Sequence, residues 1–95
     1  MNEGYDISLV IPCYNEEKNV SLFYKECSCI FNKKKLNVQY IFINDGSRDE
    51  TFNEIRNLAS ENKNIVGISF SRNFGKESAI YAGLKKSSGK YTCII

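Results

Sequence analysis

The residues best suited to chemistry fall in three polar stretches, each following a short apolar run: Cys13 to Lys18, Asp45 to Asp49, and Ser71 to Lys76. Together they supply Asn15, Glu16, Asp45, Asp49, Arg72 and Lys76. Carboxylates accept hydrogen bonds from ribose hydroxyls or from the imide N–H of a base, while Arg72 and Lys76 can neutralise a diphosphate. A helix opening at Lys76 would add its amino-terminal dipole to such an anion site. Each residue also has a plainer role. Asp45-Gly46-Ser47 is a common turn, Asn15 and Glu16 are ordinary capping residues, Arg72 suits a surface ion pair, and Tyr14 and Phe74 suit loop anchors. Only the repeated placement of polar groups after apolar runs raises the set above its members.

The elements that must position these residues are legible from hydrophobic patterning. Asp6 to Pro12 reads as a first strand, closed by the sole proline, which cannot donate to a ladder. Val20, Phe23, Cys27, Ile30 and Phe31 make one helical stripe, capped by Asn15 or Asn19; the later start leaves Tyr14 to Lys18 as a loop. Val38 to Asn44 is a continuous apolar run, as expected of a strand covered on both faces. Gly46 permits the turn after it, and Ser47 with Glu50 fits a capping box for a helix from about Asp49 to Glu61. Ile65 to Phe70 is a third strand in which Gly67 allows a helix close. A third helix from Lys76 stops near Ser88-Gly89, and Lys90 to Ile95 begins a fourth strand. The expected fold class is therefore α/β, a Rossmann-like parallel sheet with flanking helices in the order β-α-β-α-β-α-β. Parallel strands place all three polar loops on one rim, where open α/β sheets bind ligands.

The chain of 95 residues has room for one small domain and carries a net charge of +2, too little to imply nucleic acid. Lys33-Lys34-Lys35 is most simply a solvated helix end. No apolar run approaches a membrane span and no signal-peptide pattern opens the chain, so its character is cytosolic. Cys13, Cys27, Cys29 and Cys93 lack a metal spacing, no His is present, and all four are expected to be reduced, small apolar residues. Other nucleotide signatures fail. No G-x-G-x-x-G follows the first strand, and around Gly75-Lys76 a P-loop would need glycine at Phe70 and Ser or Thr at Glu77. A phosphate-accepting receiver domain would want its acids after the first and third strands.

Val10-Ile11-Pro12-Cys13-Tyr14-Asn15-Glu16-Glu17, Asn44-Asp45-Gly46-Ser47-Arg48-Asp49 and Arg72-Asn73-Phe74-Gly75-Lys76-Glu77 resemble the nucleotide-binding half of GT-A glycosyltransferases of family 2. The likeness runs from about Ile7 to Ile95. The Arg72-Asn73-Phe74-Gly75-Lys76 form most resembles the polyprenyl-phosphate sugar transferases, the group with dolichol-phosphate mannose synthase and bactoprenol glucosyltransferases. The resemblance implies a UDP-sugar or GDP-sugar donor held by Pro12, Tyr14, Asn15, Glu16 and Asp45, with Arg72 and Lys76 near the base or diphosphate. It implies inverting transfer to a polyprenyl phosphate or saccharide, aided by a divalent metal, Mg or Mn, at the cytoplasmic face of a membrane. Many relatives have a second acid where this chain has Asn44, so the base contact carries over to Asp45 alone.

The family's Asp-x-Asp metal motif follows the fourth strand, and its catalytic base, acceptor site and membrane-anchoring helices lie further on. Residues 1–95 are thus expected to be the front piece of a longer protein, with no catalytic or metal residue of their own and no transfer activity. An exposed fourth strand invites a homodimer. The competing reading is a non-catalytic α/β module that binds a nucleotide or a protein through the same rim.

Overall fold

The computed structural model describes residues 4–95. The elements are β1 (Ile7–Cys13), α1 (Val20–Lys33), β2 (Val38–Asn44), α2 (Thr51–Glu61), β3 (Ile65–Ser69), α3 (Lys76–Lys86) and β4 (Tyr91–Ile94). All strand pairs are parallel, and the sheet order is β3-β2-β1-β4. The α/β architecture matches the expectation, and most strand and helix ends fall within a residue or two of it.

β2 is the centre of the molecule. Each of its residues from Val38 to Asn44 is buried, which is why its sequence is apolar without alternation. On one face, Leu9, Ile11, Tyr40, Phe42 and Ile65 pack with Val20, Ile55 and Leu58 of α1 and α2. Edge-on ring contacts tie Phe23 to Phe42 and Tyr24 to Tyr40. On the other face, Val10, Ile41 and Ile43 meet Ala79 of α3. The helix lies so close there that a Cβ on Gly83 would stand 2.4 Å from Val10 Cγ1. Gly67 serves α2 in the same way, since a Cβ on it would come within 2.8 Å of Ile55 Cγ2.

Pro12 lies inside β1 rather than closing it, opposite Ile43. Alternate β1 residues bond to opposite neighbours: Cys13 O accepts from Asp45 N–H of the β2 end, and Val10 O accepts from Ile95 N–H on the β4 side. Pro12 therefore faces the β4 side, so its missing N–H removes no bond to β2.

The amino-terminal end of the sheet holds a buried polar cluster. Ser8 Oγ donates to Gln39 Oε1 at 2.6 Å, and the Ser88 and Gly89 N–H groups donate to the Ser8 hydroxyl at 3.2 and 2.8 Å. This fastens the α3–β4 turn to β1. The Lys33-Lys34-Lys35 run is exposed at the end of α1, as expected of a solvated helix end.

Two capping expectations are corrected. α2 begins at Thr51, too late for Ser47 to cap it, and no side-chain cap bond forms at Glu50. Ser47 instead accepts the Asn15 N–H at 2.9 Å. Asn19 precedes α1 but its amide donates to Glu16 Oε1, and Asn15 accepts the Arg48 N–H, so neither caps the helix with its side chain. The later start of α1 does leave Tyr14 to Lys18 outside the helix.

The cysteines also divide. All four are free, but Cys29 and Cys93 are exposed, and only Cys13 and Cys27 contribute to the core.

Candidate nucleotide-binding site

β1, β2 and β3 step across the sheet in one direction, and β4 returns to the far side of β1. The strand order therefore reverses between β1 and β4, and crevices at the carboxyl ends of strands form at such a reversal. A cleft of about 250 Å³ opens there, lined by Pro12, Cys13, Tyr14, Glu16, Asp45, Lys76 and Ile95. Five residues singled out from sequence, Pro12, Tyr14, Glu16, Asp45 and Lys76, thus share one concavity although up to 64 positions separate them, from 12 to 76.

Asp45 follows β2 and is 5% exposed. Its Oδ1 accepts the Phe74 N–H at 2.8 Å and its Oδ2 the Gly75 N–H at 3.1 Å. Its carbonyl oxygen accepts from Asn73 Nδ2. The carboxylate thus holds the loop before α3, and each oxygen keeps a second lone pair for a ligand. Gly46 makes the approach feasible: with φ of 71°, its missing Cβ would lie 2.2 Å from Arg72 C and Asn73 N. Gly75, with φ of 104°, turns the chain into α3, whose first residue is Lys76.

Arg72 does not line the cleft. It follows β3, two strands away from the reversal, and its guanidinium sits 4.9 Å from the exposed Phe74 ring centroid. Asn15 also stays outside the lining. It takes a left-handed conformation, φ 55°, and joins the first loop to the second.

Cys13, Ile95 and Thr51 were not singled out from sequence. Cys13 and Ile95 enter through the reversal of strand order, and a smaller apolar cavity of about 160 Å³ lies beside them, under Val20, Phe23 and Phe42. Burial, and next the charge of Glu16, pushes the Cys13 thiol up from 9.0 to about 12, so it is an inert wall. Thr51 is fully buried, and its signal would have been a hydroxyl two residues after Asp49. Desolvation acts to raise the Asp49 carboxyl, but hydrogen bonds from the Thr51 hydroxyl and from backbone N–H groups outweigh it and the net shift is downward.

Among the described residues, no group of three or more His, Cys, Asp or Glu is placed to hold a metal ion. Asp45 is turned to backbone N–H groups and Glu16 to Asn19, so these residues do not form a metal cage.

An open parallel sheet with a cleft of mixed polar and apolar lining at its reversal defines a Rossmann-like α/β protein. The family described as Glycosyl transferase family 2 matches residues 8–95, and the chain belongs to that family. It is 47% identical over 83 residues to a bactoprenol glucosyl transferase of Shigella phage SfV, covering 87% of this chain and 27% of that protein. It is 42% identical over 95 residues to the putative glycosyltransferase CsbB of Bacillus subtilis, covering all of this chain and 29% of that one. The chain thus spans little more than a quarter of these curated relatives. Its fold is similar to that of the mannosyltransferase PcManGT from Pyrobaculum calidifontis, solved with GDP-Man and Mn2+, with a TM-score of 0.66 at 18% identity, over 94% of this chain and 26% of that one.

Proposed function

We propose that residues 12–76 carry the nucleotide-sugar site of a glycosyltransferase that passes a sugar to a polyprenyl phosphate or related acceptor. The observation that carries this reading is the single cleft shared by Pro12, Tyr14, Glu16, Asp45 and Lys76 at the reversal of strand order. Tyr14 offers an aromatic face, Glu16 and Asp45 offer acceptors for base or ribose donors, and Lys76 offers a cation for the diphosphate. Arg72, outside the cleft, acts at longer range through its charge. In the transfer, an acceptor oxygen attacks the anomeric carbon as the bond to the diphosphate oxygen breaks, and the nucleoside diphosphate leaves with that electron pair. The sugar carbon inverts. Positioning and charge stabilisation supply most of the rate in such a reaction.

The relatives named as bactoprenol glucosyl transferases support a lipid-linked acceptor, and a lipid-linked acceptor fits action at the cytoplasmic face of a membrane. No helix among the described residues is long and apolar enough to cross a membrane. A divalent metal, Mg or Mn, belongs to this reading through the likeness to the family. We further propose that a second copy pairs along β4, an edge strand whose residues Tyr91 to Ile94 are all exposed.

Calorimetric titration with UDP, GDP and their sugar conjugates tests the site. Binding of one nucleotide, weakened by Glu16→Gln and Lys76→Met, is the expected result; equal, unsaturable heats for wild type and both variants would overturn it.

A further inference from the structure

We propose that Thr51 is a positioning residue that fixes the backbone of the cleft loop before any ligand arrives; the ligand named in its test rests on the nucleotide reading above. Three successive peptide N–H groups of the first loop are each taken by a side-chain oxygen of the second loop or of the first residue of α2. Asn15 N–H donates to Ser47 Oγ at 2.9 Å, Glu16 N–H to Thr51 Oγ1 at 2.8 Å, and Glu17 N–H to Asp49 Oδ2 at 3.3 Å. The exchange is returned. Arg48 N–H donates to Asn15 Oδ1 at 2.9 Å and Glu50 N–H to Glu17 Oε1 at 2.8 Å. Ser47, Asp49 and Thr51 stand at alternate positions and act as one clasp.

Thr51 is its centre for two reasons. It is the clasp member that is fully buried, so a bond lost there is not replaced by water. Its hydroxyl is also committed in both directions, accepting from Glu16 N–H and donating to Asp49 Oδ1, which in turn accepts the Thr51 N–H at 2.9 Å. The hydroxyl proton therefore has one direction to point, and Asp49 is held for Glu17.

Two consequences follow for the cleft. Tyr14 and Glu16 flank the left-handed Asn15, a conformation that Asn tolerates better than most residues with a Cβ. The clasp holds it there from both sides of the peptide. Moreover, the N–H groups of Asn15, Glu16 and Glu17 all face the second loop, so they are not available to an anion. The diphosphate charge falls to Lys76 and the start of α3 instead of to the backbone donors of this loop.

The test compares Thr51→Val, nearly isosteric but without the hydroxyl, with Thr51→Ser, which keeps it, and with Ser47→Ala, at a half-buried position where folding is less at risk. Amide hydrogen exchange and UDP and GDP titrations are measured on each, together with urea stability. In Thr51→Val the Glu16 and Glu17 amides are expected to exchange faster, by more than the change in global stability accounts for, with nucleotide affinity reduced roughly tenfold. Thr51→Ser is expected to restore both, and Ser47→Ala to show the same change confined to Asn15. Uniform exchange acceleration across the sheet, or unaltered exchange at Glu16, would overturn the proposal. So would a Thr51→Ser variant no better than Thr51→Val. If wild-type protein bound neither nucleotide, the nucleotide reading alone would fall, because the exchange data decide the clasp without a ligand.

Discussion

The Asp45 carboxylate accepts the Phe74 N–H at 2.8 Å, joining the end of β2 to the loop that opens α3. An acid expected from sequence to face a ligand is thus also the anchor of a neighbouring loop. In Asp45→Asn, an amide N–H₂ must face either Phe74 N–H or Gly75 N–H, so one donor is left unpaired. A loss of about 1 kcal/mol of stability is expected, since these bonds are only part-buried and a typical hydrogen bond contributes about 0.5–1.5 kcal/mol net. Urea denaturation measures it, and faster exchange of the Phe74 and Gly75 amides locates it.

Gly46 and Gly75 both have positive φ, yet their substitutions differ sharply in what a Cβ would meet. At Gly46 it would overlap Arg72 and Asn73 backbone atoms at 2.2 Å, whereas at Gly75 nothing lies within 4 Å. Gly75→Ala is expected to cost about 1–2 kcal/mol from backbone strain alone, and Gly46→Ala about 3 kcal/mol or more. Thermal melts of the two variants side by side check the ordering.

Gly83 separates helix propensity from packing. In an exposed helix, Gly→Ala adds about 1 kcal/mol of stability. At position 83 the new methyl would stand 2.4 Å from Val10 Cγ1 and 2.9 Å from Ile43 Cδ1. Overpacking costs about 1–3 kcal/mol and should win, lowering the melting temperature.

Alkaline pH should destabilise the core. Burial first, then Glu16, raises the Cys13 thiol from 9.0 to about 12; burial first, then Cys27 and Tyr24, raises the Tyr40 phenol from 10.0 to about 12. Each is an acid whose neutral form the fold prefers. The unfolded chain therefore releases these protons first, so their contribution is complete below about pH 9 and is lost as pH rises toward 12. Stability measured from neutral pH upward should fall beyond about pH 9, and Cys13→Ala should flatten part of the slope. Asp49 works in the opposite direction: its lowered carboxyl contributes above the ordinary 3.8 and the contribution fades as pH falls. At neutral pH a thiol reagent should label the exposed Cys29 and Cys93 and spare Cys13.

Self-association through β4 predicts a concentration-dependent mass. Light scattering should show dimer at high concentration, with Tyr91→Lys and Ile94→Lys returning monomer, since charged residues on an edge oppose strand addition. A single monomeric mass across the concentration range would reject it.

The strands and helices were legible because β2 is buried throughout and α1 and α2 show clear apolar stripes. The rim location of Asp45 followed from the same patterning. What the sequence concealed was the partner of each polar group. Ser47 has the spacing of a capping box, but Asn15 lies 32 positions away and claims it, a pairing that depends on how β1 and β2 align. Arg72 and Lys76 look equivalent in one loop, yet only Lys76 reaches the cleft, because β4 returns beside β1 and sets the crevice on that side. Strand order is a tertiary property, and no local pattern in residues 71–76 encodes it.

The most direct test is a nucleotide titration followed residue by residue by amide NMR. Saturable shifts with UDP or GDP, centred on Cys13, Tyr14, Glu16, Asp45 and Lys76 and abolished in Lys76→Met with Glu16→Gln, are the predicted result. Shifts absent at high nucleotide concentration, or centred at the Ser8–Gln39 end of the sheet, would contradict a sugar-nucleotide site at the β1–β4 reversal.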